Sequence, residues 1–378
     1  MRKQKFNLLC WILIPVLFIG LIAHYKVVVS ADIFASKGKS VSFSKILANS
    51  NTENIGNTIN ESNQNVVLYP GGQPIGVRIN TKGVLVVALS DLETGGNKVA
   101  SPGSMGGIEI GDSILSINGE YIISSEQVAS IVNSLQNNII KVEIERRGER
   151  LTKEVKPVKS DEGPYKIGLW VRDSTAGIGT LTFYEEKSGI FAALGHPITD
   201  MDTGTILSVN SGEILSSSIN SVIKGAKGNP GELKGTFANE NLILGTINKN
   251  TKCGIVGKTD KKLINKQSQP MKAAKISEIK EGPAQILTTV DGEEPKLYEI
   301  KVQKLFNQNA PDSKSMLICI TDQELLEKTG GIVQGMSGSP IIQDGKIIGA
   351  VTHVLINKPD VGYGVYIEWM LKEANIQQ

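Results

Sequence analysis

The sequence predicts a mainly β fold divided over two folded domains. Short apolar runs alternate with turn residues along most of the chain, a pattern typical of β-sandwiches and closed barrels. Gly is frequent, with 40 residues, Pro accounts for 14 residues, and aromatic residues make up only 5%. At 378 residues the chain is long enough for two domains that each bury a core.

The charge and cysteine content exclude several classes of partner. The chain has 40 Lys and Arg against 38 Asp and Glu, a formal net charge of +2. This balance does not supply the phosphate attraction that nucleic-acid binding needs, so no nucleic-acid partner is predicted. Cys10, Cys253 and Cys319 show no C-x-x-C spacing. The sequence therefore predicts no metal, no cofactor and no disulfide framework.

Residues 1–26 have the pattern of a membrane-targeting segment. A basic start precedes an apolar run from residue 6 to residue 23, about the ~18 to 20 residues that span a bilayer. The basic end should stay cytoplasmic, so the bulk of the chain is predicted to be exported. An uncleaved anchor is favoured, and signal-peptide cleavage near residues 29–31 is the alternative. Residues 27–65, rich in Ser and Asn, are predicted to form a flexible tether.

Residues 66–160 are predicted to form a small strand-rich domain. Apolar residues repeat at helical spacing from Val128 to Leu135, after a Ser cap, which predicts one amphipathic helix. The run GIEIGDSILSING, from Gly107 to Gly119, is similar to the signature of PDZ domains. This resemblance implies a small β-barrel or sandwich with one or two helices that binds an extended peptide as an added strand.

The same resemblance places the peptide-binding residues at Gly83, Val84, Leu85 and Val86. The sequence departs from the Gly-Leu-Gly-Phe loop that is usual in PDZ domains. Three ligands therefore stay open: a free carboxyl terminus, an internal segment, or the protein's own tether. An apolar core strand without any ligand has the same pattern and is the alternative interpretation.

Residues 164–378 carry the candidate chemistry. The stretch GMSGSP at residues 335–340 is followed by an apolar run, the pair Asp344-Gly345 and a second apolar run, which is the strongest short hairpin signal. A Gly-Val-Tyr strand and a terminal helix come next. This order of elements resembles the nucleophile region of chymotrypsin-like serine peptidases. The resemblance implies a double β-barrel peptidase domain.

Ser337 is the predicted nucleophile. Gly335 and Gly338 allow the backbone to bend closely around it, so that the amides of Gly335 and Ser337 can form an oxyanion hole. The nucleophile elbow of α/β-hydrolases needs Gly-x-Ser-x-Gly and is disfavoured, because position 339 is Ser. A serine in a purely structural glycine-rich turn is the alternative.

A serine hydroxyl needs a general base, and histidine titrates near neutrality. Of the three histidines, His24 belongs to the predicted membrane segment, which leaves His196 and His353. His196 ends a strand of small residues and precedes Ser337, an order similar to that of chymotrypsin-like peptidases. His196 is the predicted base. His353 is the alternative, and otherwise a core or specificity-pocket residue.

The orienting carboxylate is predicted at Asp322, 15 positions before Ser337. Asp322 also lies in a capping-box pattern before a short helix, where the helix dipole would stabilise it without any catalysis. Both roles stay open. Asp200 and Asp202, shortly after His196, are further candidates for the carboxylate.

Together these features resemble the SpoIVB family of sporulation peptidases from spore-forming Firmicutes. The resemblance rests on the order of anchor, tether, PDZ domain and peptidase domain, on GHPITD at residues 195–200, and on VQGMSGSP at residues 333–340; it includes Asp322. It implies a serine endopeptidase in the forespore inner membrane. The bulk of the chain would lie in the space between the forespore and mother-cell membranes.

The resemblance also implies the partners. Such enzymes cleave themselves near the amino terminus and cut the regulatory subunit of a membrane metalloprotease complex, which then activates the mother-cell sigma factor K. The exposed backbone of the tether suits self-cleavage. A non-catalytic PDZ adaptor on a degenerate peptidase scaffold is the alternative function.

Overall fold

The computed structural model describes residues 66–377 apart from 238–241, 262 and 266–267. The predicted anchor and tether lie outside these residues. Within the described part of the chain, no helix is long and apolar enough to cross a membrane. Strands dominate and the helices are short, so the prediction of a mainly β fold is confirmed.

The elements follow one another in three groups. The first group consists of β1 (Val67–Pro70), β2 (Pro74–Leu89), β3 (Leu92–Thr94), β4 (Asn97–Val99), α1 (Pro102–Met105), β5 (Ser113–Ile117), β6 (Glu120–Tyr121), α2 (Ser125–Leu135), β7 (Ile140–Arg146), β8 (Glu149–Val155), β9 (Val158–Lys159) and β10 (Tyr165–Lys166). The second group consists of β11 (Leu169–Glu185), β12 (Ile190–Ala193), β13 (Val209–Ile223), β14 (Glu232–Phe237), β15 (Ile243–Thr251) and β16 (Gly254–Lys258).

The third group completes the described chain. It consists of β17 (Met271–Ala273), a 3₁₀ turn (Ile276–Glu278), β18 (Gly282–Thr288), β19 (Lys296–Leu305), β20 (Met316–Ile320), α3 (Gln323–Thr329), β21 (Pro340–Gln343), β22 (Lys346–Leu355), β23 (Lys358–Tyr366) and α4 (Ile367–Glu373).

Residues 83–173, which we call the amino-terminal lobe, have their own apolar core. The second half of β2 pairs with β5, β5 pairs with β7, and β7 pairs with β8, all antiparallel. The predicted helix is present as α2 and buries Val128 and Val132 in this core. Its amino terminus is capped by the Ser124 hydroxyl, which accepts from the Gln127 amide at 3.2 Å.

Six strands close a first barrel. They pair in the order β2, β11, β12, β16, β15 and β13, and β13 returns to β2. Alternate residues of β2, namely Ile75, Val77 and Ile79, are buried in its core, as the period of two of a β-strand requires.

Six further strands close a second barrel. They pair in the order β18, β19, β20, β23, β22 and β21, and β21 returns to β18. The predicted hairpin is present between β21 and β22, with Gln343 and Lys346 as its last pair. Asp344 and Gly345 both have positive φ, 50° and 71°, as a two-residue hairpin turn of this kind requires.

The first barrel uses residues that precede the amino-terminal lobe. Residues 74–81 of β2 lie between β11 and β13 in the barrel, and β1 pairs with β11 and β17. The strand pairing therefore assigns residues 67–81 to the barrel side of the molecule. The prediction placed the start of the first domain at residue 66. The reason is that β2 is one strand of 16 residues, which serves the barrel up to Thr81 and the lobe beyond Gly83.

Candidate active site

Ser337 lies in the turn that leads into β21. Gly335 and Gly338, on either side, have φ of 97° and 100°, a region that favours glycine. A Cβ at Gly338 would come within 2.1 Å of the Thr180 carbonyl oxygen. Glycine at this position therefore allows the serine loop to pack against β11 of the first barrel.

Two threonines of β11 hold this loop. The Thr180 hydroxyl donates to the Gly335 carbonyl oxygen at 2.7 Å, and the Thr182 hydroxyl donates to that of Gly338 at 2.8 Å. The Thr180 amide donates to the Ser337 carbonyl oxygen at 3.1 Å. The loop of the second barrel is thus bound through three carbonyl groups to a strand of the first barrel.

The predicted oxyanion-hole amides are free. Within the described residues, neither the Gly335 amide nor the Ser337 amide donates a hydrogen bond to a protein acceptor. The neighbouring amides of Met336 and Gly338 are bonded, to Val333 and Val351. The free N–H groups of Gly335 and Ser337, on either side of Met336, are therefore available to donate to an incoming oxyanion.

His196 and Ser337 line one cleft, with a volume of about 580 Å³, next to β11 and β22. The Ser337 hydroxyl donates to the Thr352 carbonyl oxygen at 2.8 Å. On the other side, Gly195 approaches Thr352 so closely that a Cβ would lie 2.9 Å from its methyl group. The Ser337 hydroxyl would therefore have to rotate away from Thr352 before it could donate to another acceptor in the cleft.

The backbone sets the tautomer of His196. Its Nδ1 lies 2.8 Å from the Pro197 carbonyl oxygen. Because a carbonyl oxygen only accepts, Nδ1 carries the proton and Nε2 keeps a free lone pair. Burial lowers the pKa of His196, and the bond to Pro197 opposes this shift. The imidazole is therefore neutral at pH 7, as a general base requires.

His353, the alternative base, lies beside His196 and lines the same cleft. The two ring centroids are 5.1 Å apart. Among the described residues, Nδ1 of His353 is the one buried polar side-chain atom without a hydrogen-bond partner. Burial first, then His196 and Lys314, lower its pKa to about 4, and Asp312 opposes them. Both imidazoles are thus neutral near pH 7.

The structure places Asp322 at the start of α3, and it is not among the residues that line the cleft. Its carboxylate accepts from the Leu325 amide at 3.0 Å and the Glu299 amide at 3.3 Å. This is the capping role that the sequence left open. The orienting role of Asp322 stays a prediction, and in this geometry the Pro197 carbonyl orients His196.

Asp200 and Asp202 form ion pairs with Arg172 of β11. The buried Asp200 carboxylate also accepts from the Thr203 amide at 2.9 Å and from the Thr203 hydroxyl at 3.0 Å. Burial raises the pKa of Asp200, but these bonds and Arg172 outweigh it and lower the pKa. Both carboxylates therefore shape the loop after His196 and do not bond an imidazole.

The four predicted peptide-binding residues lie in β2. Val84, Leu85 and Val86 are buried, and the Gly83 carbonyl oxygen accepts from the Thr81 hydroxyl at 2.7 Å. Leu85 and Val86 pair with the start of β11. The chain's own strand therefore occupies this edge of β2, and a peptide-binding role for these residues stays a prediction.

Sequence reasoning missed the two threonines that hold the serine loop and the carbonyl that orients the base. Thr180 and Thr182 are two residues apart, so they share one face of β11. This spacing could have indicated that both hydroxyl groups face the same neighbouring segment. A backbone carbonyl, such as that of Pro197, leaves no trace in residue types.

A serine hydroxyl, a neutral histidine and free amides along one cleft are the groups that serine peptidases use to attack a peptide carbonyl. This protein is a serine peptidase. The family model described as SpoIVB peptidase S55 matches residues 163–371, more than half of the chain. The chain belongs to this family.

Other proteins are similar over shorter stretches or at lower identity. The Rv3671c protease from M. tuberculosis, in its active form, is 12% identical over 54% of this chain and 76% of that chain, with a TM-score of 0.33. The PDZ domain of the SdrC-like protein (Lmo2051) from Listeria monocytogenes is 19% identical over 25% of this chain and 90% of that chain, with a TM-score of 0.21.

A curated relative from Clostridium perfringens carries the name "Putative zinc metalloprotease CPE1693". It is 35% identical over 78 residues, which cover 19% of this chain. The matched stretch spans 23% of that relative's length.

We expect the acid limb of kcat/KM to lie below pH 6.5, the ordinary pKa of histidine. His196 must be neutral to accept the Ser337 proton, and burial lowers its pKa, so the neutral base persists as the pH falls through 6.5. The pH profile of kcat/KM with a peptide substrate measures this. An acid limb above pH 6.5 contradicts the assignment.

Asp322→Ala should lower the free energy of unfolding by about 1 kcal/mol, because the cap of α3 is lost, whereas Asp322→Asn keeps a capping oxygen and should be nearly neutral. Urea unfolding of both variants checks this, and equal stabilities would contradict it. Turnover separates the two roles of Asp322. A stable Asn variant slowed about 10⁴-fold would identify the orienting carboxylate.

Gly338→Ala should reduce kcat by at least about 10²-fold, the order of effect of losing one oxyanion donor. The added Cβ would meet the Thr180 carbonyl oxygen and displace the serine loop from β11. Gly345→Asn is the matched control, since its positive φ suits Asn and nothing lies within 4 Å. Initial rates with a peptide substrate measure both, and normal turnover of Gly338→Ala would disprove the argument.

Proposed function

We propose that this serine peptidase is a membrane-tethered endopeptidase of sporulation signalling. The observation that carries the catalytic part is the shared cleft, which is lined by Ser337, by the neutral His196 and by Gly335, with the Gly335 and Ser337 amides unbonded. Membership of the SpoIVB peptidase family supports the sporulation part. The apolar run after the basic start supports the tethering.

The geometry supports the following reaction. The Ser337 hydroxyl turns from Thr352 toward Nε2 of His196 and attacks the carbonyl carbon of the scissile peptide bond as the imidazole takes its proton. The Pro197 carbonyl accepts from Nδ1–H and stabilises the imidazolium that forms. The Gly335 and Ser337 amides bind the oxyanion, and each such donor contributes about 2.7 to 4 kcal/mol to transition-state stabilisation.

The second half of the reaction reuses the same groups. His196 returns the proton to the leaving amine, and the acyl-enzyme on Ser337 forms as the peptide bond breaks. Water then attacks the ester while Nε2 of His196 takes its proton. As the C–O bond to Ser337 breaks, His196 returns that proton to the Ser337 oxygen, which restores the free hydroxyl and releases the carboxylic acid.

The cleft suits an extended polypeptide. Apolar side chains form much of its wall, among them Ile178, Val354 and Ile356, which are at least partly exposed and available to bind substrate side chains. The exposed residues Ala176 and Gly177 of β11 lie along the same cleft. We infer an endopeptidase that binds several residues on either side of the cut.

We further propose that the amino-terminal lobe is a PDZ-like docking domain. Three observations support this: the signature motif, the core that α2 shares with the second half of β2, and the tight turn at Asn118 and Gly119, with φ of 51° and 85°. Its ligand would be a polypeptide segment of the substrate or of the tether.

The proposed substrates are the protein's own amino-terminal segment and the regulatory subunit of a membrane metalloprotease complex. Cleavage of the second would lead to activation of sigma factor K in the mother cell. The proposed location is the forespore inner membrane, with the bulk of the chain in the space between the two membranes. Since the chain is a serine peptidase, we do not retain the non-catalytic adaptor as its function.

A fluorophosphonate probe tests the catalytic assignment on the full chain. We expect labelling of the wild type, none of Ser337→Ala, at least about 10²-fold slower labelling of His196→Ala, and labelling near normal for His353→Ala. Ser134→Ala, an exposed serine on α2, is the control and should label normally. Slow labelling of His353→Ala together with normal labelling of His196→Ala would move the base to His353.

The same proteins report on self-cleavage. Mass spectrometry of the wild type in membranes should find cuts within residues 27–65. The Ser337→Ala chain, in membranes that contain no active copy, should stay uncut. An active wild type whose amino-terminal segment stays intact would remove self-cleavage from the proposal and leave the peptidase assignment standing.

A further inference from the structure

Strand β11 begins inside the amino-terminal lobe before it enters the barrel. Its first residues pair antiparallel with β2, with Leu169 opposite Leu89, Val171 opposite Val86 and Arg172 opposite Leu85. The other edge of this part of β2 is taken by β5. The start of β11 is therefore the strand added to the free edge of β2.

The side chains of this segment alternate between the lobe and solvent. Ile167 is buried in the core of the lobe, and Leu169 and Val171 pack against that core. Trp170 points away and is 65% exposed. Inward positions thus recur at every second residue, as in any strand laid against an apolar surface.

The next inward residue, Asp173, is bound by the start of α2. Its Oδ2 accepts from the Ser125 amide at 2.8 Å and from the Ser125 hydroxyl at 2.9 Å. Nearer the other end of α2, the side-chain oxygen of Asn133 accepts from the Tyr165 amide at 3.0 Å. Residues 165–173 therefore run along α2 and are bonded to it near both ends.

The segment passes through this site without ending there. The Asp173 carbonyl oxygen accepts from the Thr81 hydroxyl at 3.1 Å, and the next residue, Ser174, already pairs with Asn80 in the barrel. A free carboxyl terminus has no place in this arrangement. The site accommodates an internal segment.

We propose that residues 167–173 are a resident ligand of the amino-terminal lobe. The site between β2 and α2 takes an extended internal segment that has apolar side chains at alternate positions, followed by a carboxylate that meets Ser125. An external segment with this pattern binds only when the resident segment leaves. This inference deepens the proposed docking role and does not depend on peptidase activity.

The resident segment also holds the loop that carries the base. Arg172 points to the side opposite to Val171 and pairs with Asp200 and Asp202, which follow His196 by four and six residues. The Asp200 carboxylate in turn accepts from the Asp202 and Thr203 amides. Release of the segment therefore removes the cation from this loop and loosens it.

Peptide binding tests the first part. The probe is a fluorescent peptide with the sequence of residues 166–175, titrated against the full chain in a Ser337→Ala background that prevents cleavage. We expect weak binding to that chain and at least about tenfold tighter binding when Val171→Ser and Asp173→Asn weaken the resident segment, because apparent affinity scales with the fraction of free sites. Trp170→Ala, on the outward side, should give no gain.

A peptide that carries the same Ser and Asn replacements should bind neither chain. If the weakened chain binds the unaltered peptide no better than its parent, or binds both peptides equally, the proposal is wrong. Should the double variant fail to fold, Asp173→Asn alone replaces it, since this change weakens the two bonds of the resident segment to Ser125 and leaves both the core and the binding site unchanged. Its expected gain is smaller, and the absence of any gain counts equally against the proposal.

Hydrogen exchange tests the link to the base. In the weakened chain, the amides of residues 198–205 should exchange at least about tenfold faster, since their loop has lost Arg172. The amides of β18 and β19, in the second barrel, are the internal control and should not change. Unchanged exchange in the loop, with the external peptide bound, would overturn the link. Because these readouts use the Ser337→Ala chain, failure of the proposed peptidase function would not alter them.

Discussion

The hydroxyl groups of Thr180 and Thr182 are the contact on which the active site depends. They bind the carbonyl groups of Gly335 and Gly338, so a strand of the first barrel holds the loop of the second that carries Ser337, the proposed nucleophile. Catalysis needs its groups within about 0.5 Å of the productive geometry, and a site that draws on two barrels gains that accuracy only if the barrels are fastened together. These two hydrogen bonds are direct, and they hold the backbone that carries the proposed oxyanion donors. A shift of β11 along its axis would therefore displace nucleophile and donors together.

The two imidazoles of the cleft illustrate how burial serves the reaction. Burial disfavours the charged form of both rings, so each is neutral at pH 7. The same shielding from water would strengthen the bonds that we propose the Gly335 and Ser337 amides make to an oxyanion. Nδ1 of His353 has no hydrogen-bond partner, which is costly for a buried polar atom. The orienting group of His196 is a backbone carbonyl, which titrates at no relevant pH.

Local signals in the sequence were sufficient for several parts of this molecule. Helix α2 and the Asp344-Gly345 hairpin have the predicted positions, because caps, helical spacing and turn residues act within a few positions. The bond between Thr180 and Gly335 spans 155 positions, and no local pattern encodes such a contact. The same holds for the edge of β2, whose apolar residues predicted a ligand without indicating that residues 169–172 fill it. Asp322 is a third case. Its sequence context fitted both a helix cap and an orienting carboxylate, and in the structure it caps α3.

The long strand β2 determines the order in which the chain can be completed. Its first half belongs to a barrel that also needs β16, about 170 positions later, while its second half belongs to a lobe that is finished by Asp173. During synthesis the lobe can therefore fold before the first barrel, in which the first half of β2 still lacks its partner strands. Contacts between residues so far apart in the sequence form slowly. Topologically the lobe is an insertion into the peptidase. A fragment that starts at residue 163 lacks β2 of the first barrel and also β1, which pairs with β11 and β17, whereas a chain that joins Thr81 to Ser174 directly would keep every strand of both barrels.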